Sequence, residues 1–430
     1  MDIIRGLVGI AFFIGLAFLF SGNKKTIDWR LVGIGIALQV IFGLLITQVE
    51  FVGTGFDWVS RGFVKFLSFS GAGAEFLFGS LSDSSRHSLG FIFAFQVLPT
   101  IIFFSTISAG LYYLGLLQKV VYGIAWVMAK TMRLSGAESL SAAGNIFLGQ
   151  TEAPMLVRPF VKNMTMSELM CLMTGGMATI AGGVLAAYVK FLGGGDPVQE
   201  AEFAAHLLSA SIMNAPAAIV ISKILIPENE PEKVDRELKV NKESLGVNLI
   251  DAMSTGASDG LKLAANVGGM LLAFIAVIAF LNYSLMKIGA AFEINDLIFS
   301  STSGQFSGLS FEYLLGQVFR YFAFFMGVDW KDTLQIGSLL GQKTAINEFV
   351  AYLDLANMKA AGTLETKSII IATYALCGFS NFSSIAIQIG GIGGMAPERQ
   401  GDLSRLGLKA LLAATIACMM TATIAGMLIV

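Results

Sequence analysis

The chain has 430 residues, of which 55% are hydrophobic and 13% charged, with a net charge of −2 and a mean hydropathy of +0.72. Soluble domains carry about a quarter charged residues, so this composition points to lipid surroundings, and no basic stripe offers itself to nucleic acid. Three scattered cysteines (Cys171, Cys377, Cys418) and two solitary histidines (His87, His206) form neither a zinc spacing nor a disulfide framework.

A membrane-crossing helix needs about 20 mostly apolar residues. Eight stretches qualify in chain order: Ile3–Phe20, Leu31–Val49, Phe91–Leu117, Leu169–Phe191, Phe203–Ile226, Val267–Met286, Ser368–Ile389 and Leu403–Val430. The first lacks a small-residue cleavage site and is read as a true helix and not a removed signal. Three mixed pieces, Asp57–His87, Gln118–Ser135 and Glu312–Val328, interleave charged with aromatic and apolar residues. That pattern predicts segments lying in the membrane interface.

Two further insertions are too polar to cross. Gly144–Phe160 reads GNIFLGQTEAPMLVRPF and is interrupted by Pro154, through which a helix cannot run cleanly. Asp332–Leu355 carries Gly341-Gln342-Lys343-Thr344 and then Asn347-Glu348, an echo of Gly149-Gln150-Thr151-Glu152. Lys and Arg gather after spans 1, 3, 5 and 7, which places those loops in the cytoplasm and both termini outside. The parity holds only if each insertion enters and leaves from one side, the first from the cytoplasm and the second from outside. Each is followed by a span broken by small and polar residues, Met173–Gly183 and Ala375–Ser384. Opposed repeats with broken helices are a transporter architecture.

A carboxylate at membrane depth costs roughly 2.5–3.5 kcal/mol even on the lenient scales, which makes Glu152 and Glu348 functional candidates. The plainer reading is that both cap helix N-termini. It leaves unexplained the amides and hydroxyls clustered around each. A paired-carboxylate glycosidase and a Ser/His/Asp hydrolase fit neither the apolar hairpins nor the isolated histidines. GGIGG at Gly390–Gly394 lacks the strand–helix context of a nucleotide loop. Thr179, with freed carbonyls beside Asn145, makes an oxygen nest suited to a monovalent cation. Asn381 and Ser384 stand three apart and share a helix face.

Together, GQTEAP at Gly149–Pro154, MTGGMATIAGG at Met173–Gly183, NEF at Asn347–Phe349 and GFSNFSSIAIQIGG at Gly378–Gly391 resemble the concentrative nucleoside transporters, in the form of a bacterial eight-span member. The resemblance covers the chain from about Gly90 onward. It implies an all-α integral membrane protein with eight transmembrane helices, two opposed re-entrant hairpins and interfacial helices. Residues 1–117 would hold scaffold helices 1–3, with the interfacial segment 57–87. Residues 118–226 would form the first transport repeat, 227–290 a cytoplasmic loop with scaffold span 6, and 306–430 the second repeat.

The resemblance further implies a homotrimer in the inner (plasma) membrane, in contact with lipid, that moves nucleosides in symport with sodium. It is not an enzyme, and it takes no organic cofactor. Carried over by position, Gln150, Thr151 and Glu152 would read the base, with Val184 lining its pocket. Glu348, Asn381 and Ser384 would bind the ribose hydroxyls, and Phe379 would pack on the nucleoside. Asn145, Thr179 and the carbonyls of Leu148 and Ile180 would hold sodium, although the family often has serine where Thr179 stands. The alternatives are a proton-coupled symporter and a membrane receptor that binds a solute without moving it.

Overall fold

A computed structural model describes residues 2–82, 92–238 and 246–428, and every regular element among them is helical. The first third holds α1 (Asp2–Leu19), α2 (Trp29–Gln48), α3 (Glu50–Ser68), α4 (Ser70–Phe78), the single turn α5 (Phe93–Gln96), α6 (Leu98–Tyr113) and α7 (Leu116–Met132). The interfacial segment expected over Asp57–His87 begins earlier, as the amphipathic α3, and continues through α4 to Ser82; its last residues, His87 included, lie outside the described residues.

The first hairpin consists of α8 (Gly136–Asn145), a non-helical tip, a 3-10 turn at Ala153–Val157 and the short α9 (Arg158–Val161). It therefore starts eight residues before the expected Gly144. The signal is a capping box: Ser135 Oγ accepts from Glu138 N, and the Glu138 carboxylate accepts from Ser135 N. A second box, Thr165 with Glu168, opens the next element. Lys223 is ion-paired to Glu138 and donates to Ser167 Oγ at 2.9 Å, so its buried charge has partners.

The span expected at Leu169–Phe191 is two half-helices, α10 (Met166–Ala178) and α11 (Gly182–Gly193). Then come α12 (Pro197–Leu225) and α13 (Leu249–Ala291). With 43 residues, α13 extends well beyond the expected Val267–Met286. Its first half carries Ser254, Ser258 and Asp259, which dilute its hydropathy, yet Gly256 and Gly260 hold it against α6. Added Cβ atoms there would lie 2.7 Å from Ser105 O and 2.8 Å from the Ile102 Cα. Small residues one turn apart let two backbones approach this closely.

The second half repeats the plan. α14 (Ile294–Ser301) and the amphipathic α15 (Phe311–Phe325) precede a hairpin of α16 (Thr333–Ala345) and α17 (Glu348–Ala360). A broken pair, α18 (Thr366–Leu376) and α19 (Phe382–Met395), follows, and α20 (Gln400–Leu428) ends the described chain. Among the described residues seven helical segments are long and apolar enough to cross a membrane, α10 and α11 counting as one. The α18–α19 pair supplies the eighth crossing.

Polar contacts separate the two ends of the stack. At one end Asn23 Nδ2 donates to Asn229 Oδ1 at 3.2 Å, Gly136 N to Asp235 O at 2.9 Å, and Arg399 Nη1 to Met164 O at 2.6 Å. Hairpin 1 opens there. At the other end Lys367 pairs with Asp2 at 2.6 Å, and Glu365 N donates to Asp332 Oδ2 at 3.0 Å. Hairpin 2 opens there, opposed to the first. In an apolar 18-residue stretch of the α10–α11 span 94% of the residues are buried inside the protein, against 17% in such a stretch of α13. The broken helices are thus sheathed in protein, while α13 turns an apolar face outward.

Candidate functional site

Both helix breaks cross at the centre of the stack. Phe379 N donates to Thr179 O at 3.3 Å, so the two unwound segments are bonded to each other. Asn214, from the middle of α12, donates to Ala178 O at 2.8 Å and Cys377 O at 2.6 Å, one carbonyl from each break. The Cys418 thiol, on α20, meets the same two carbonyls at 3.4 and 3.3 Å. Backbone freed from a helix deep in a membrane needs such partners.

The hairpin tips converge on these breaks. Gly182 N donates to Phe147 O at 3.2 Å, and Ser211 Oγ to Ile146 O at 3.0 Å, which seats tip 1 against α11 and α12. A cavity of about 140 Å³ lies between the tips. Gly149–Glu152 line it from hairpin 1, Asn347–Phe349 from hairpin 2, and Phe379, Asn381 and Ser384 from the second break. Leu263, Val267 and Met270 of α13 close it with an apolar wall.

Glu348 is 2% exposed, and both its oxygens are engaged: Tyr188 OH donates to Oε1 at 2.8 Å and Asn381 Nδ2 to Oε2 at 3.0 Å. A carboxylate has about four acceptor positions, so two donors leave room for more. Asn347 caps α17 through Val350 N at 3.1 Å, and Asn381 caps α19 through Ser384 N at 2.9 Å. Two helix N-termini, positive ends of their dipoles, therefore face the cavity beside the carboxylate. Gln150 Nε2 donates to Ser384 Oγ at 3.1 Å, and Gln150 Oε1 accepts from Gln388 Nε2 at 3.3 Å. This amide pair links hairpin 1 to α19 with no net charge.

The expected site residues are brought together, though not all alike. Val184 is buried and Phe379 half-buried at the cavity wall. Thr151 packs on Gly391, where an added Cβ would lie 3.2 Å from its Cγ2. Glu152 is exposed at the rim, its carboxylate folded onto Gly149. The cation candidates gather one turn away. Asn145 is fully buried, and neither its side-chain oxygen nor its nitrogen has a hydrogen-bond partner. Thr179 Oγ1 donates to Gly175 O at 2.8 Å, and Asn145 Nδ2 lies against the same Gly175. The bond from Gly182 to Phe147 draws together the non-helical segments that carry Leu148 and Ile180. A buried amide oxygen without a donor beside a hydroxyl oxygen is a donor set that fits a hard monovalent cation.

The structure adds Tyr188, Gln388 and Asn214 to the site residues that the sequence singles out. Tyr188 follows Val184 by four residues and Gln388 follows Ser384 by four, so the helical period carried a signal for both. Asn214 is an amide inside an apolar span, and polar residues there are seldom idle.

Residues 8–81 and 206–426 match the families described as "Na+ dependent nucleoside transporter N-terminus" and "C-terminus", and 94–195 match "Nucleoside recognition". Solute carrier family 28 member 3 of Rattus norvegicus is 42% identical over 98% of this chain and 58% of its own length. The chain thus spans under two thirds of that relative. The transporter YutK of Bacillus subtilis is 42% identical over the full length of both chains. The structure of CNTnw in an inward-facing substrate-bound state superposes with a TM-score of 0.89 at 37% identity, covering 100% of this chain and 98% of that one.

Proposed function

The chain belongs to the Na+-dependent nucleoside transporter family, and from that premise we propose that it moves nucleosides across a membrane in symport with sodium. The observation that carries the reading is the cavity where both hairpin tips and both helix breaks meet around Glu348. A nucleoside is neutral, with vicinal ribose hydroxyls that donate and a base edge that both donates and accepts. Glu348 has acceptor capacity left for the hydroxyls. Asn381 and Ser384 border it, and Phe379 offers a ring face. Gln150, with Thr151 and Glu152 at the rim and Val184 beneath, faces the base. On this reading the substrate leaves unchanged, as befits a member of a transporter family.

Sodium is the second substrate. Asn145 and Thr179 supply side-chain oxygens, and Leu148 and Ile180 carbonyls. Tip 1 is bonded to the first break, so an ion there would fix the loop that carries Gln150. Binding of ion and nucleoside is then linked, and linkage is reciprocal. The mobile unit comprises residues 118–226 and 306–430, moving against a scaffold of 1–117 and 227–290. The apolar outer face of α13 supports a homotrimer set in lipid. The basic loops support a cytoplasmic location for the end that holds Asn229, with both termini outside the inner membrane.

Equilibrium binding of labelled uridine to the purified protein tests this reading. Affinity should rise when sodium replaces choline at constant ionic strength. Affinity that ignores sodium and follows pH would replace it with proton coupling.

A further inference from the structure

Lys343 is a lysine 2% exposed in the last turn of α16, and the proposed symport gives it no part. Its ammonium donates to Ala375 O at 2.9 Å, in the last turn of α18. Two neighbouring carbonyls are also occupied: Thr373 O accepts from Tyr352 OH at 2.7 Å, and Tyr374 O from Cys377 N at 3.1 Å. Carbonyls at a helix C-terminus carry partial negative charge that favours a cation. The position has a counterpart in the other repeat. Asn145, last residue of α8, lies against Gly175 in the last turn of α10, just before the first break. Lys343 leaves the equivalent arm of hairpin 2 and reaches the last turn of α18, just before the second.

We infer that Lys343 is a tethered cation holding, in the second repeat, the position that an exchangeable sodium holds in the first. The inference rests on the sodium reading of Asn145 and Thr179. One break would then bind an ion that comes and goes with each cycle. The other is permanently neutralised by the ammonium and contributes none. The pair of sites therefore couples one sodium, not two, to each nucleoside. Glu348, five residues further on, accepts its hydrogen bonds from Tyr188 and Asn381, which leaves the ammonium to the carbonyl.

The test is thermal unfolding of the purified full chain, titrated with sodium against choline. Lys343→Ser removes the charge and leaves space and an oxygen, whereas Lys343→Met removes the charge and fills the space. Lys343→Ser should melt several degrees lower than wild type in choline. Sodium should recover that loss, with a second saturating component absent from wild type. Lys343→Met should melt lower with no added sodium response. A Ser variant as stable as wild type in choline overturns the inference. So does one that sodium cannot rescue, including one lost during purification in sodium. Recovery only when sodium is present throughout supports it. Thr179→Val separates the two readings: if its sodium response equals that of wild type, the first site is wrong, whatever Lys343→Ser does.

Discussion

At the scale of single residues, the proposal turns on whether Glu348 meets the sugar. Hydrogen bonds to a charged acceptor contribute about 1.5–3 kcal/mol. Wild type is predicted to prefer uridine to its 2′,3′-dideoxy analogue by roughly that amount, a tenfold to hundredfold ratio of affinities. Glu348→Gln keeps size and one acceptor oxygen but loses the charge, so most of the ratio should vanish while base preference survives. Comparing residue and ligand group in one cycle cancels general damage to the fold. A mutant that binds weakly yet keeps the full ratio would detach Glu348 from the ribose. Tyr188→Phe probes the support of that carboxylate. It keeps the ring stacked on Tyr352, with centroids 4.2 Å apart, and removes only the hydroxyl on Oε1. The predicted cost in uridine affinity is up to roughly 1.5–3 kcal/mol, the worth of one hydrogen bond to a charged acceptor. Unchanged binding would show that Asn381 alone orients Glu348.

At the scale of elements, the helix breaks depend on side chains brought from other helices. Asn214→Ala would strip a donor from carbonyls in both breaks. Each orphaned buried group costs about 1–3 kcal/mol, so unfolding should occur at a clearly lower temperature. An unaltered melting point would mean that the Phe379–Thr179 bond and Cys418 suffice. Thr179→Val removes the proposed ion's hydroxyl ligand and should raise the sodium concentration for half-maximal uptake, with less effect on nucleoside binding at saturating sodium.

The elements differ in how far the sequence disclosed them. Both breaks could be read from glycine and hydroxyl residues inside apolar runs, and both hairpins from polar insertions that upset the charge parity. The extent of α13 could not, because Ser254, Ser258 and Asp259 dilute its hydropathy while Gly256 and Gly260 pack it on α6. The start of hairpin 1 was hidden for a related reason: small residues between Gly136 and Asn145 give little periodic signal, and only the Ser135–Glu138 box marks it. Of the site, the residues with a family motif were evident. Asn214 and Lys343 act on carbonyls far away in sequence, and no local pattern announces a partner of that kind.

At the scale of the whole molecule, two opposed hairpins reaching one cavity fit the proposed transport, in which the site faces either end in turn. The end that holds Asn229 and the turn after α9 carries most of the basic residues and is predicted to be cytoplasmic. Single cysteines placed at Asn163 and Asn229 should react with an impermeant reagent only after the membrane is opened. Labelling of intact cells would invert the topology. The central claim is coupling, and accumulation tests it most directly. Purified protein sealed into liposomes should concentrate labelled uridine above the external level when an inward sodium gradient is imposed. It should only equilibrate when choline replaces sodium at the same pH. Equal accumulation without sodium, driven by an inward proton gradient, would contradict the account, as would uridine that binds the protein and never enters the vesicle.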